Sequence, residues 1–136
     1  MTQIVLEPIR DRHHHDDLEH RIQCDCVRWF RLQYPAIASL LFAVPNGGSR
    51  NRAEAGRMKM EGVTAGVADL ILAIPNHEHH MLFIEMKTPK GVQSQTQKEW
   101  QRAVEAVGAE YVICRSLEEF MLKVNHYLDD RYGKSK

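Results

Sequence analysis

The sequence predicts an α/β domain with a mixed central sheet of about four strands flanked by helices. Helically spaced apolar stretches alternate with short apolar runs in the order helix, strand, helix, strand, strand, helix, strand, helix, which layers helices on the faces of a sheet. Two of the runs lie on either side of a short polar loop and can form a hairpin. The 136-residue chain, 43% hydrophobic and 26% charged, has the profile of one ordinary soluble domain able to bury a core. It divides into an N-terminal arm over 1–16, a single domain over 17–130 and a tail over 131–136.

The arm begins IVLEPI and continues DRHHH, and His13, His14 and His15 could hold a transition metal or form a solvated tract. Asp16 or Asp17 can cap a first helix whose apolar residues Leu18, Ile22, Cys26, Trp29, Phe30 and Tyr34 recur at helical spacing until Pro35 stops it. Glu19 and Gln23 are neighbours on the edge of that stripe. Cys24 and Cys26 face different directions, and three cysteines, an odd number, give no disulfide framework.

Ser39 to Val44 predicts a short buried strand, broken by Pro45-Asn46-Gly47-Gly48. A second helix over Asn51 to Glu61 carries Arg52, Arg57 and Lys59 close behind Arg50. Together with Asn46 and Gly47 this segment can grip phosphates through backbone amides and arginines, or it is an ordinary solvated face. The formal net charge is zero, so any nucleic-acid surface must be local. No apolar run approaches the roughly 18–20 residues of a membrane span. With no signal pattern at the N-terminus, the expected location is cytoplasmic and no membrane partner is expected.

The hairpin pairs Leu70 to Ile74 with Met81 to Lys87 around Pro75-Asn76-His77-Glu78-His79. The reflection that places Leu72 against Leu82 also brings Asp69 opposite Glu85, with Cβ atoms roughly 4.5–5.5 Å apart. Two carboxylates so placed repel unless a proton or a cation sits between them. A hard divalent cation, Mg²⁺ or Mn²⁺, suits such a pair, because Mg²⁺ takes oxygen ligands and commonly needs only one or two protein carboxylates. Lys87 shares a face with Glu85 and can orient a water or stabilise charge on a phosphoryl oxygen. The run His77-Glu78-His79-His80 lacks the spacing of a zinc-protease helix and reads as a solvated tip.

Beyond Lys87, Ser94 can cap a helix from Gln95 to Val107, ended by Gly108, with Trp100, Ala103, Val104 and Val107 as its buried stripe. Gln97 lies one turn before Trp100. Tyr111 to Cys114 is a fourth strand, and Ser116 caps a last helix with Leu117, Phe120, Met121, Val124 and Leu128 on its apolar side.

Asp69 followed by Glu85-Met86-Lys87 resembles the core of metal-dependent nucleases, whose signature is an acidic residue, a spacer and then (Asp/Glu)-X-Lys. Asn46-Gly47-Gly48, Gly62 to Leu70, Ile84 to Lys87, and Ser94-Gln95-Thr96-Gln97 with Trp100 are more closely similar to the VRR-NUC (virus-type replication-repair nuclease) family, over about Leu18 to Leu128. Ala68 stands where that family usually has proline. The resemblance implies a restriction-endonuclease-like core and a Mg²⁺- or Mn²⁺-dependent endodeoxyribonuclease. It implies that Asp69, Glu85 and the backbone carbonyl of Met86 hold the metal, and that Glu19 completes the shell or reaches a second ion. Lys87 would position the attacking water, with Gln97 beside it. Minimal members of the family look like structure-specific nucleases of branched or flapped DNA, often homodimers. A sequence-specific restriction-type nuclease should carry a longer recognition insertion, which is not visible. A non-catalytic nucleic-acid-binding module would have lost the acids, and Asp69, Glu85 and Lys87 are all present. A histidine-based metal binder is the weakest alternative.

Overall fold

The computed structural model describes residues 14–45 and 51–129. Asn46, Gly47 and Arg50, the arm up to residue 13, the tail and the side chains at 14–16 lie outside the described residues. The element order is α1 (His14–Gln33), β1 (Leu41–Ala43), α2 (Arg52–Met60), β2 (Leu70–Leu72), β3 (Leu82–Met86), α3 (Gln95–Ala106), β4 (Glu110–Cys114) and α4 (Leu117–Leu128). The sheet is four-stranded in the order β1-β2-β3-β4. β1, β2 and β3 form an antiparallel meander. β4 runs parallel to β3, as a strand reached through a helical crossover must be able to do. No described helix is long and apolar enough to cross a membrane.

The register of β2 on β3 sets Leu72 opposite Leu82 and Leu70 opposite Ile84, which turns the buried residues of both strands to one face. Leu70, Leu72, Ile74, Leu82, Ile84 and Met86 therefore point to one face, where α1 and α4 cover them. Cys26 and Phe30 from α1, Tyr34 just beyond its end, and Phe120, Val124, Tyr127 and Leu128 from α4 complete this core. Trp29 meets both Tyr34 and Phe120 edge-on at 6.0 Å. The Tyr34 hydroxyl donates to Asn125 Oδ1 at 2.6 Å, tying α1 to α4. Burial of this kind contributes roughly 1.5–3 kcal/mol for each large side chain.

Four local readings are corrected. α1 starts at His14, so Asp17 lies inside the helix, where Arg21 binds its carboxylate at 2.6 Å. The segment after Tyr34 is a 3-10 turn over Pro35–Leu40, so β1 begins only at Leu41. β1 is an edge strand with Leu41 buried and Phe42 46% exposed. On α3, Ala103 and Val107 are exposed, and the covered face is Gln97, Trp100, Gln101 and Val104. The reason is that the sheet surface beneath α3 is itself partly polar, so glutamines fit it better than alanine and valine would. On α4 the buried set includes Tyr127, whose hydroxyl donates to the Ile74 carbonyl at 2.6 Å. A buried tyrosine is tolerated there because its hydroxyl is satisfied.

The interior depends most on Phe120, which is fully buried against α1. Phe120→Ala is expected to cost about 3–5 kcal/mol, read as a lower urea midpoint with an unchanged slope. A loss below 1 kcal/mol would contradict this account of the core.

Candidate active site

The second sheet face is covered differently. Trp100 of α3 packs edge-on against Phe83 at 4.7 Å and against Tyr111 at 6.2 Å, anchoring the helix at one end of that face. The other end carries Asp69, Glu85 and Lys87. Alternation along β3 puts Phe83, Glu85 and Lys87 on this side, and extending the β2–β3 register by one pair sets Asp69 opposite Glu85.

Asp69 is fixed at two points. Its backbone carbonyl accepts from Val44 N–H at 2.9 Å, and its Oδ2 accepts from Met86 N–H at 2.7 Å. The carboxylate thereby replaces a strand partner, because the β2–β3 ladder has ended by Met86. A strand residue sends its N–H and its C=O toward the same side, so the Met86 carbonyl also leaves toward Asp69. The Met86 side chain is in the core.

Glu85 is 1% exposed, and its two oxygens are held separately. Tyr111 hydroxyl donates to Oε1 at 3.3 Å, and Gln97 Nε2 donates to Oε2 at 2.7 Å. Gln93 Nε2 donates to the Tyr111 hydroxyl at 3.3 Å and to Gln101 Oε1 at 2.9 Å. Lys87 Nζ donates to Gln97 Oε1 at 2.9 Å and stands 3.7 Å from Glu85 Oε2.

Gln97 is thus the hub of the site. Its Oε1 also accepts from Ser94 N–H at 2.8 Å, while Ser94 Oγ accepts from Gln97 N–H at 3.2 Å, a reciprocal cap on α3. The positive end of the helix dipole therefore faces the carboxylates. Gly66 makes this approach geometrically allowed: its φ is +87°, and a Cβ there would stand 2.4 Å from the Thr96 carbonyl oxygen.

Burial raises the Asp69 carboxyl above its usual range, opposed by the Met86 N–H, by a hydrogen bond with Glu85 and by Lys87. Burial first and the facing Asp69 second push Glu85 up to about 8, against the pull of Lys87 and Tyr111. Burial also drives the Tyr111 hydroxyl upward, keeping it a donor. Near neutral pH the pair therefore holds a proton wherever no cation replaces it.

The two carboxylates open on a cleft of about 290 Å³, whose walls include Glu19, Gly66, Asp69, Glu85, Thr96 and Gln97. A second cleft of about 310 Å³ lies past Lys87 and shares Glu19. Glu19 reaches the site from α1, yet among the described residues no three His, Cys, Asp or Glu side chains form a group that could hold a metal. The oxygens that could hold a hard divalent cation are the opposed carboxylates and the Met86 carbonyl, an all-oxygen set of the kind such an ion takes. Arg52, Arg57 and Lys59 are exposed on α2 and line neither cleft. The structure thus joins Asp69, Glu85, Lys87, Gln97 and Glu19, and leaves the basic helix apart. Tyr111 and Gln93 were not anticipated. A tyrosine inside an apolar strand was the available signal for the first, since its hydroxyl must find a partner; nothing local marked Gln93.

Gly66→Ala is expected to destabilise the protein by at least about 1–2 kcal/mol from the left-handed backbone alone. Chemical denaturation measures it, and a neutral effect would contradict the contact with Thr96. A second expectation concerns pH. Glu85 binds its proton more tightly folded than unfolded, so without divalent cations its contribution is full below pH 4.5 and declines up to about pH 8. Glu85→Gln should flatten that decline when stability is followed in a chelator across this window, and an unchanged slope would contradict the assignment.

Comparison with known proteins bears on the family and the fold. The chain matches the family model described as the VRR-NUC domain over residues 3–118. It resembles a solved structure described as a VRR_NUC domain protein, with a TM-score of 0.72 and 23% identity over 82% of this chain and 88% of that one. Curated proteins gave no match. Because the family match spans most of the 136 residues and the fold agrees, the chain belongs to the VRR-NUC domain family, a family of nucleases.

Proposed function

We propose that the protein is a Mg²⁺- or Mn²⁺-dependent endonuclease that hydrolyses phosphodiester bonds in branched DNA, such as junctions or flaps. The observation that carries this reading is the opposition of Asp69 and Glu85, with Lys87 on the same face, at the edge of an open cleft. Asp69, Glu85 and the Met86 carbonyl would hold the cation, with Glu19 on the wall of the same cleft. When bound, a divalent cation lowers the pKa of a coordinated water and offsets charge on the phosphoryl oxygens.

The chain's own residues do the positioning. Met86 N–H holds Asp69 to one orientation, while Tyr111 and Gln97 hold both oxygens of Glu85. Gln97 keeps the Lys87 ammonium at the mouth of the site, placed to orient a water or to meet negative charge building on the phosphate. The amides at the start of α3 add a positive field on the side where the phosphate must enter. Selection of branched DNA is supported by the economy of the fold: the described residues are taken up by one sheet and its helices, with no inserted reading module. Shape then becomes the feature to recognise, and a homodimer with two symmetric sites is the simplest way to engage two arms.

The test is a panel of labelled linear duplex, single strand, 5′ flap and four-way junction, with Mg²⁺, Mn²⁺ or chelator. Branched DNA should be cut, in divalent cation alone, and Asp69→Ala, Glu85→Ala and Lys87→Ala should each lower the rate by roughly 10²-fold or more while remaining folded. Variants that cut as well as wild type would overturn the site. Separately, Arg52→Ala and Arg57→Ala should each make DNA binding less salt-dependent, by about 0.9 in the slope of log K against log salt. An unchanged slope would mean that α2 is only a solvated face.

A further inference from the structure

We propose that the cleft beyond Lys87 is a second phosphate subsite, taking the backbone phosphate next to the one that is cut. Lys90 is its contact, and Arg115 is the residue that positions it. The inference rests on reading the neighbouring site as a DNA nuclease, and it assigns residues which that reading leaves unused.

The cleft of about 310 Å³ is lined by Glu19, Lys87, Thr88, Lys90, Gly91 and Val92. It meets the first cleft at Glu19 and begins at Lys87, so a strand leaving the carboxylates on that side passes directly into it. Two of its lining residues are lysines against one glutamate, and Glu19 stands on the wall common to both clefts. An anion in the second cleft is therefore held toward Lys90, which is exposed.

The wall that carries Lys90 is built rather than loose. Gly91 N–H donates to the Thr88 carbonyl at 3.0 Å, closing a turn with Pro89 and Lys90 at its centre, and proline suits the first central position. Arg115 Nη1 donates to the carbonyls of Thr88 at 2.9 Å, Pro89 at 3.5 Å and Gly91 at 2.5 Å. Arg115 is itself anchored, since its N–H donates to Glu119 Oε1 on α4 at 2.6 Å. The turn's carbonyls are thus gathered on the Arg115 side, away from any anion. The turn lies beside Lys87: a Cβ at Gly91 would meet Lys87 Cδ at 3.4 Å, ordinary contact, and Thr88 Oγ1 at a tighter 3.2 Å. One guanidinium therefore fixes both the backrest of Lys87 and the placement of Lys90.

The experiment measures binding of a 5′-flap DNA by wild type, Lys90→Ala, Lys90→Arg and Arg115→Lys, by fluorescence anisotropy in chelator over a salt series, with thermal melting as the folding control. Lys90→Ala should lower the slope of log K against log salt by about 0.9, one phosphate, and Lys90→Arg should restore it. A neutral methylphosphonate placed next to the scissile position should weaken wild type but leave Lys90→Ala unchanged. Arg115→Lys keeps the charge, but its ammonium ends one atom short of the Nη1 position that holds the three carbonyls, so it should lose as much affinity as Lys90→Ala, with no further loss in the double variant. Wild type that binds DNA while Lys90→Ala keeps its slope, or a methylphosphonate effect equal in both proteins, overturns the subsite alone. Wild type that fails to bind DNA overturns the nuclease reading and the subsite with it.

Discussion

The antiparallel register of β2 on β3 is the constraint on which the rest depends. A sheet registers itself by its buried face: Leu70 and Leu72 must meet Ile84 and Leu82, or every side chain on the strand turns inside out. Once that apolar match is made, Asp69 has no choice but to face Glu85. Hydrophobic burial thus supplies the force that confines two like charges, which neither residue would accept alone. Near neutral pH a shared proton relieves that repulsion, because burial and the facing Asp69 raise the Glu85 carboxyl.

The two faces of the sheet divide the labour. Toward α1 and α4 the packing is aromatic and aliphatic, and it accounts for the buried core. Toward α3 only half of the surface is apolar, where Trp100 sits on Phe83 and Tyr111. The other half is left to Asp69, Glu85, Lys87 and the glutamines. Because these charges lie outside the main core, replacing one of them leaves the packing of the other face in place. Among the described residues no buried side-chain nitrogen or oxygen lacks a partner, so this polar half is a closed network.

How much of this was legible in the sequence follows from distance along the chain. The hairpin and the Asp69–Glu85 opposition were readable because two short apolar runs flank one polar loop, and setting Leu72 against Leu82 carries Asp69 to Glu85. The caps at Ser94 and Ser116 were readable because capping is local. The start of β1 was misplaced because SLLFAV has the same composition whether it turns or extends, and only pairing to β2 decides. The stripe of α3 was misassigned because Ala103 and Val107 look buried by type, while the face actually used is set by what lies opposite. Tyr111 reaches Glu85 only through the parallel pairing of β3 with β4, and Arg115 reaches the Thr88 turn only because β4 ends beside it. Neither relation leaves a periodic trace.

Gln97 has a consequence for how such a site can vary. Its oxygen receives Ser94 N–H and the Lys87 ammonium, and its amide nitrogen donates to Glu85. A carboxamide is the neutral group that offers an acceptor to a cation and a donor to an anion from a single plane. Glutamate would add a third carboxylate beside Glu85, and lysine would give Lys87 a like charge and leave the helix cap unmade. The position therefore calls for one side chain that offers an acceptor and a donor together, which neither a carboxylate nor an ammonium can do.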